Sequence, residues 1–310
     1  MKNRMLMIAA AALLSAGAAQ AQVTIYGRLN LTTEHQKAGS TTLNVLQNNS
    51  SRWGLKGSED LGGGMKAGFQ LESGLSADTG AANNPYWGRQ SEAYLGGGFG
   101  TLRLGNFTSE AYFATADYVS NHNHDTGTSS DALYAYIGRN TNKVAYRLPE
   151  FTKGLSVEGA VSLKEAAAKN TMDVAVNYSL GDLALGAGYE KNDTADQLAV
   201  RAFYSAGAFG FGGYVQRDKN AFGANSGSRT NIRASAMYTL ASTEFHANVG
   251  SAGNLGNVAN SSAKQFTLGV NQILSKRTKV YAFYTKLDDG TAARYGGDFS
   301  SLAVGLRHNF

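Results

Sequence analysis

The sequence predicts an all-β protein: a transmembrane antiparallel β-barrel of about 16 strands, with a long constriction loop folded into the lumen. Three observations predict this class. Apolar and polar residues alternate with a period of two, for example in residues 172–178, 198–204 and 232–238, and this period places the apolar residues on one face of a strand. Charged residues make up only 16% of the chain, few for the wet face of a soluble β-protein. Glycine supplies 38 of the 310 residues and punctuates the alternating runs with turns.

The first residues predict a cleaved secretory signal peptide. Lys2 and Arg4 precede an apolar run over residues 5–14, and small residues follow up to the tripeptide Ala-Gln-Ala. A basic start, a short apolar core and an A-x-A end are the three parts of such a signal. The apolar core is shorter than the roughly 20 residues that cross a bilayer as a helix. We therefore expect residues 1–21 to direct export and to be removed, and residues 22–310 to form one barrel domain.

The alternating runs divide the exported chain into sixteen strands. Tight turns join neighbouring strands at one end, and longer polar connections join them at the other; the longest connection covers residues 109–140. Short turns on one rim and long loops on the other are typical of transmembrane barrels. The strands are expected at residues 22–34, 51–60, 65–75, 88–97, 100–108, 141–148, 154–163, 170–181, 182–192, 196–206, 208–218, 229–240, 242–252, 263–274, 277–288 and 299–310.

The polar phase of these strands predicts the chemistry of the lumen. Sixteen strands leave a water-filled channel rather than a packed centre. Basic side chains recur in the polar phase near both ends of the chain, on strands that become neighbours when a barrel closes, so they predict one positively charged wall of the pore. For Lys56, Lys143 and Arg233, simple solvation of a wet face is the alternative. The basic residues in this phase are Arg28, Arg52, Lys56, Arg89, Arg103, Lys143, Arg147, Arg201, Arg233 and Arg307.

The segment of residues 109–140 is too long for an ordinary turn, and loops of this length are usually functional or disordered. It combines acidic residues with several tyrosines, which indicates a packed loop that narrows the barrel. Glu110 and Asp117 lie nearest the preceding strand and are the acids that we expect at the constriction. Acids on the loop that face bases on the wall would create a transverse electric field across a wet opening. The alternative is that these acids only solvate an external loop.

Six blocks of sequence resemble the general Gram-negative porins, and most closely their β-proteobacterial branch, the type of Neisseria and Burkholderia. They are residues 23–28 (VTIYGR), 51–62 (SRWGLKGSEDLG), 65–72 (MKAGFQLE), 99–105 (FGTLRLG), 274–278 (LSKRT) and 305–310 (GLRHNF). The resemblance covers the whole exported chain. It implies a sixteen-stranded barrel, a homotrimer surrounded by outer-membrane lipids, a constricting third loop, and passive diffusion of small hydrophilic solutes and ions.

The resemblance also assigns individual residues. It implies that Arg28, Arg52, Arg89, Arg103 and Arg307 line the basic side of the pore, and that the terminal Phe310 is read by the machinery that inserts barrels into the outer membrane. Two features depart from the pattern of the family, and both bear on the charge of the constriction. Asn106 stands where the family usually has arginine, directly after the glycine that ends the fifth strand, and Ser91-Glu92 is inserted between Arg89-Gln90 and residues 93–96.

Two other functions are alternatives. A substrate-specific channel would share the scaffold and differ only in the loop and the wall. An outer-membrane barrel enzyme is the more distant alternative, because the five histidines are scattered without a nucleophile or acid at motif spacing and the chain has no cysteine. His122, His124 and Asp125 could ligate a metal, but such residues in a polar loop are usually only solvated. We predict no catalytic residue, metal, cofactor or nucleic-acid partner.

Overall fold

A computed structural model describes residues 22–119, 132–165 and 169–310. The predicted signal peptide (residues 1–21) and the residues His122, His124 and Asp125 lie outside the described residues. Within the described ranges, the chain forms one closed antiparallel barrel. No helix in these ranges is long and apolar enough to cross a bilayer.

Eighteen strands are assigned among the described residues. They make up sixteen strand positions around the barrel wall, and we call each position a stave. β2 and β3 are the two halves of one stave, because both pair with β1 on the same side, and β5 is a short hairpin arm in a loop. The strands are β1 (Gln22–Ala38), β2 (Thr41–Asn48), β3 (Arg52–Gly62), β4 (Met65–Ser76), β5 (Ala81–Ala82), β6 (Gln90–Gly97), β7 (Gly100–Asn106), β8 (Lys143–Arg147), β9 (Leu155–Ser162), β10 (Thr171–Leu180), β11 (Leu183–Lys191), β12 (Asp196–Ala206), β13 (Phe209–Lys219), β14 (Ser228–Leu240), β15 (Thr243–Ala252), β16 (Ala263–Ile273), β17 (Thr278–Asp289) and β18 (Phe299–Asn309).

The barrel closes where the last strand meets the first. β18 pairs antiparallel with β1 from Arg28 opposite Asn309 to Ala38 opposite Phe299. The terminal Phe310 extends this ladder through two backbone hydrogen bonds of 3.0 Å with Gly27. A side chain at Gly27 would collide with the Phe310 ring, which lies 2.3 Å from the position of a Cβ atom. Glycine at this position is therefore required for the close approach that seals the barrel.

The predicted fold is confirmed, with one difference near the start of the chain. β1 continues to Ala38, and β2 prolongs the stave of β3, so most of residues 35–50 forms a hairpin that the sequence did not predict. Polar residues occupy both faces of this hairpin, so it lacks the alternation that marks the membrane-spanning parts. The hairpin extends the barrel wall through the backbone pairing of β1 with β2.

The two faces of the staves differ as a membrane barrel requires. The outer face carries exposed apolar side chains, such as Ile25, Leu302 and Val304, which are 58–65% exposed. The inner face carries polar side chains, many of them buried by neighbours, such as Asn30, Gln197 and Asn271. An exposed apolar wall around a polar interior is stable in lipid, because the closed ladder satisfies the backbone polar groups.

The two rims of the barrel also differ. Two-residue turns at 63–64, 98–99, 181–182, 207–208 and 241–242 define the short-turn rim. The opposite end, the loop rim, carries the longer connections, including residues 107–142 between β7 and β8. In outer-membrane barrels the short turns face the periplasm and the longer loops face outward.

Candidate functional site

The long connection between β7 and β8 begins with a short helical stretch. Helix α1 (Glu110–Tyr112) starts at Ser109, whose side chain accepts a hydrogen bond of 3.1 Å from the backbone N–H of Ala111. This hydrogen bond satisfies one of the free N–H groups at the start of a helix. A π-helical segment, Phe113–Asp117, continues directly from α1. We refer to residues 107–142 as the constriction loop.

The described residues of the constriction loop pack against the inner faces of β11–β14. Arg201 Nε donates to the carbonyl of Ala114 at 2.6 Å, and Ser235 Oγ donates to the carbonyl of Val119 at 2.8 Å. On the returning part of the loop, the backbone N–H of Ala135 donates to Gln216 Oε1 at 2.8 Å, and Gln216 Nε2 donates to the carbonyl of Ala135 at 2.9 Å. These contacts attach the loop backbone to polar side chains of the inner wall. We call this region the loop-covered wall.

Small residues and tyrosines allow the close packing of the loop-covered wall. Gly188 lies directly beneath α1, where a Cβ atom would be 2.5 Å from the carbonyl oxygen of Ala111. The buried Tyr134 packs against Tyr214 and Ala199. Its hydroxyl accepts a hydrogen bond of 3.1 Å from Gln197. Burial raises the pKa of Tyr134, so the hydroxyl stays protonated and bound in this contact.

The inner wall formed by β3–β9 carries a row of ion pairs, which we call the charged arc. The Glu72 carboxylate lies 2.7 Å from Arg89 Nε and 3.7 Å from Arg52 Nε. Arg103 on β7 binds Glu92 at 2.9 Å. Arginines and glutamates from consecutive staves thus alternate along the inner wall. The charged arc consists of Arg52, Arg89, Arg103 and Arg147 with Glu72, Glu92, Glu110 and Glu158.

Glu158 is the anchor of the charged arc. Its carboxylate binds Arg103 Nη1 at 3.0 Å and Arg147 Nη2 at 2.9 Å, and its side chain is only 1% exposed. The guanidinium carbon of Arg103 also lies 4.2 Å from the centroid of the Phe107 ring, in the geometry of a cation–π contact. A buried carboxylate shared by two arginines holds both guanidinium groups in place at the edge of the lumen.

The constriction loop meets the charged arc at Glu110. The Glu110 carboxylate lies 3.0 Å from Arg147 Nη2. Burial raises the pKa of Glu110, and the nearby Arg147 guanidinium opposes this shift. Asp117, the other predicted loop acid, is exposed at the end of the π-helical segment. The structure therefore places one predicted acid, Glu110, in contact with one predicted base, Arg147, at the edge of the lumen.

The other predicted basic residues lie beside the charged arc. Arg28 is buried opposite Arg52 and donates to the carbonyl of Ser50 at 3.4 Å. Lys56 is exposed, with Nζ 5.2 Å from the centroid of the Tyr26 ring. Arg307 on β18 pairs with Asn30 on β1, and its Nε donates a hydrogen bond of 3.3 Å to Asn309 Oδ1. The seven residues assigned to the basic wall thus lie on or next to consecutive staves from β18 to β8.

Three other basic residues of the polar phase are buried, as Arg28 is, and do not line open water. Lys143 is fully buried against Asp173 at 3.0 Å. Arg201 is buried under the constriction loop, and Arg233 is buried among polar side chains, with one donated hydrogen bond of 2.8 Å to Gln265. They lie on the inner face, as the alternation predicts, but the expectation that they contribute to an open basic wall is wrong. The alternation cannot show which part of the inner face is covered.

Three acids of the charged arc are candidate site residues that the sequence analysis did not assign to the pore. Glu72, Glu92 and Glu158 lie on β4, β6 and β9, each in the polar phase of its strand. The same alternation that identified the arginines would have identified these acids. Among the described residues, no group of three or more His, Asp or Glu side chains is arranged to hold a metal ion.

A closed transmembrane barrel with a charged, loop-narrowed lumen defines a pore-forming membrane protein. Comparison with known proteins gives the family. The family model of the Gram-negative porins matches residues 8–292. The outer membrane porin protein 32 of Delftia acidovorans is 28% identical, and the alignment covers 100% of both chains. The major outer membrane protein P.IB of Neisseria lactamica is 29% identical over 94% of this chain and 96% of that protein.

A solved structure has the same fold. The anion-selective porin from Comamonas acidovorans superposes with a TM-score of 0.79 at 24% identity, covering 94% of this chain and 100% of that one. This chain belongs to the Gram-negative porin family. It is an outer-membrane porin of the β-proteobacterial type, a channel and not an enzyme.

Proposed function

We propose that this porin is a general diffusion pore for small hydrophilic solutes and ions, narrowed between the constriction loop and a basic wall. The loop supplies Glu110 and Asp117. The observation that carries this proposal is the ion pair of 3.0 Å between Glu110 and Arg147, since it joins a loop acid to a wall base at the lumen edge. The wall is formed by Arg28, Arg52, Lys56, Arg89, Arg103, Arg147 and Arg307.

The arrangement sorts solutes by polarity. Loop carboxylates on one side and guanidinium groups on the other produce a field across the opening that orients water and dipolar solutes. A polar solute exchanges part of its hydration for these side chains, whereas a bulky apolar solute disturbs the oriented water without replacing its hydrogen bonds. Small hydrophilic molecules therefore pass with the lowest barrier.

The charge balance supports a weak preference for anions. The charged arc holds four arginines and four glutamates, so it is neutral as a unit. Arg28, Lys56 and Arg307 lie beside it and tip the wall towards positive charge. The solved neighbour is described as anion-selective. Because the arginines here share their charge with four carboxylates, we propose a milder anion preference than a wall of unpaired arginines would give.

The assembly proposed for this porin is a homotrimer in the outer membrane, with Phe310 as its insertion signal. The resemblance to general porins supports the trimer, and the pairing of Phe310 with Gly27 supports a role of the terminus in closing the barrel. Heating the detergent-solubilised protein is the direct test of the oligomer. We expect a resistant species of three times the chain mass that falls to monomer on heating; a monomer at all temperatures would contradict the trimer.

Reversal potentials in planar lipid bilayers test the pore. We expect a mild anion preference in the native protein, a stronger one after Glu92→Gln, and a weaker one after Arg52→Ala. Glu165→Gln, on an exposed loop, is the matched control and should leave the preference unchanged. If neither wall substitution moves the reversal potential, the assignment of the wall is wrong. Saturable block of the current by one solute would show a substrate-specific channel instead.

A further inference from the structure

The lumen side of the constriction loop carries exposed aromatic side chains. Helix α1 and the π-helical segment bury Ala111, Ala114 and Ala116 against the inner wall. On the other side of the same segment, the side chains of Phe113 and Tyr118 are 42% and 48% exposed. Because this segment lies inside the barrel, these rings meet the water of the lumen and not lipid. Exposed apolar groups with a polar surround are typical of ligand-binding surfaces.

The exposed rings form a row along the direction of transport. The ring centroid of Tyr112 lies 5.5 Å from that of Tyr136 and 5.9 Å from that of Phe113. Tyr118 follows Phe113 by five residues, the period of the π-helical hydrogen bond, so both rings lie on the same side of the segment. Tyr118 in turn lies 5.7 Å from Phe203, near the short-turn end of β12. We call Tyr112, Phe113, Tyr118 and Tyr136 the aromatic row.

A small pocket lies at the end of the aromatic row nearest the loop rim. Its volume is about 280 Å³, and it is lined by Thr108, Tyr112, Tyr136 and Asn140. The two tyrosine rings stand at 75° to each other and form two walls of a corner. Sites for drug-sized ligands have volumes of roughly 300–1,000 Å³, so this pocket has room for one ring-sized molecule. We call it the ring pocket.

Two polar groups of the ring pocket are available to a solute. The side-chain oxygen of Asn140 accepts a hydrogen bond from the Tyr136 hydroxyl, which orients the amide and leaves its NH₂ group with two donors. Within the described ranges of the chain, neither this NH₂ group nor the Thr108 hydroxyl is hydrogen-bonded to another residue. The ring pocket therefore combines aromatic walls with uncharged hydrogen-bonding groups.

The charged arc offers polar contacts beside the aromatic row. Glu110, two residues before Tyr112, lies 3.0 Å from Arg147 Nη2, so the arc begins next to the row. Guanidinium groups only donate hydrogen bonds and carboxylates only accept them, and the two kinds alternate along the arc. A hydroxyl group both donates and accepts, so a neutral solute with many hydroxyl groups can bind both kinds. An anion can bind only the arginines, which already bind carboxylates.

We propose that the ring pocket and the aromatic row form a weak binding path for neutral sugars in the pyranose form. This inference rests on the proposed diffusion pore and names a class of solute that the pore favours. The C–H bonds on one face of a pyranose pack on the negative face of an aromatic ring, and its hydroxyl groups bind Thr108, Asn140 and the charged arc. A solute must leave a pore as readily as it enters, so each contact is weak. The path favours sugars as a class and retains no single one, as a general pore requires.

Saturation-transfer NMR with the exported chain in detergent tests the path. Glucose and sorbitol are the probes, because they have nearly the same mass and both carry many hydroxyl groups, but only glucose forms a pyranose ring. We expect glucose to bind the native protein in the millimolar range, and sorbitol to bind roughly tenfold more weakly because it has no rigid C–H face. Equal binding of the two probes would overturn the proposal.

The decisive variant is F113L/Y136L, which keeps two apolar side chains and removes two flat rings. The matched control is Y204L/F211L, a tyrosine and a phenylalanine that are exposed on the outer face of β12 and β13. We expect F113L/Y136L to bind glucose roughly tenfold more weakly, and the control to stay within about twofold of the native protein. Unchanged glucose binding in F113L/Y136L, or an equal loss in the control, would contradict the path.

Two further arms test the polar contacts and the class of solute. Thr108→Val removes the hydroxyl with little change of shape and should weaken glucose binding several-fold, and it serves alone if F113L/Y136L fails to form the barrel. Unchanged binding in this variant would overturn the ring pocket as a sugar site. Benzoate at the same concentration should not displace glucose, because it has no hydroxyl groups for Thr108 and Asn140. Full displacement would assign the aromatic row to aromatic solutes instead.

Single-channel conductance separates this proposal from the proposed pore. F113L/Y136L should conduct ions within about twofold of the native protein, because the contacts that attach the loop to its wall remain. A native channel that conducts ions but binds glucose no better than sorbitol would overturn the sugar path alone. A native protein that conducts no ions would contradict the pore itself.

Discussion

The charged arc and the loop-covered wall start from the same pattern and end in different environments. Arg103 and Arg201 are both arginines in the polar phase of a strand. Arg103 binds two glutamates and remains partly exposed at the lumen edge. Arg201 is buried under the constriction loop, donates to two backbone carbonyls, and lies 3.7 Å from the Tyr118 ring centroid. The comparison shows that strand phase selects the face of the barrel, while the loop decides which part of that face meets water.

The largest effect is expected when the loop is forced off its wall. Gly188→Val places methyl groups where the Ala111 backbone lies, within 2.5 Å of a Cβ atom. We expect a loss of about 1–3 kcal/mol of stability and a larger, fluctuating single-channel conductance, because the loop no longer fits. The control is Gly159→Val on β9, where a Cβ atom meets no atom within 4 Å. A steady single-channel conductance in the Gly188→Val variant, equal to that of the native protein, would contradict the packing described for the loop.

A smaller effect is expected from removing one loop anchor. Arg201→Met keeps an unbranched but shorter side chain and removes the donor to the Ala114 carbonyl, at a cost of about 1–3 kcal/mol, part of which local rearrangement recovers. The temperature at which the circular dichroism of the strands is lost should fall, with little change in ion preference. Arg277→Met, on an exposed turn, should change neither quantity. A shift of ion preference without loss of heat stability would mean that Arg201 meets open water.

In the charged arc we expect the opposite result, a change of ion preference with little loss of heat stability. Arg103→Met removes one positive charge and leaves Glu92 with one partner fewer. One unit charge at about 4 Å in water is worth roughly 1 kcal/mol, so the anion-to-cation permeability ratio should fall by up to about fivefold. Reversal potentials in a salt gradient measure this ratio, with Arg294→Met on an exposed loop as the control. High salt should reduce the difference, because the lumen is filled with water.

The smallest effect is expected from pH. Burial raises the pKa of Glu110 above the ordinary range of a glutamate, despite the attraction of Arg147. As pH falls through this raised pKa, the carboxylate takes up a proton and the charged arc gains one net positive charge. Anion preference should therefore increase at a pH where ordinary glutamates are still ionised. Glu110→Gln should have this stronger preference at neutral pH and lose that step; an identical step in the variant would assign the titration to another group.

Much of the fold follows from local sequence, and much of the site does not. The sixteen staves follow from alternation and turns, and only the polar hairpin of residues 35–50 was missed. The partners of the arginines depend on which staves are adjacent, as with Arg103 and Glu158, which are 55 residues apart in the chain. The contact of Ser235 with Val119 spans 116 residues. No local period encodes such contacts, so the covering of one wall by the loop appears only in three dimensions.

Cysteine accessibility tests the division of the lumen most directly, because the chain has no native cysteine. Ser58→Cys lies in the inward phase of β3 and is exposed, whereas Ser235→Cys lies on the inner face of β14 beneath the loop. A charged thiosulfonate reagent added to the open pore should modify residue 58 rapidly and lower the conductance. It should leave residue 235 unmodified unless Gly188→Val is also present. Equal rates at residues 58 and 235 in the otherwise native chain would contradict the loop-covered wall.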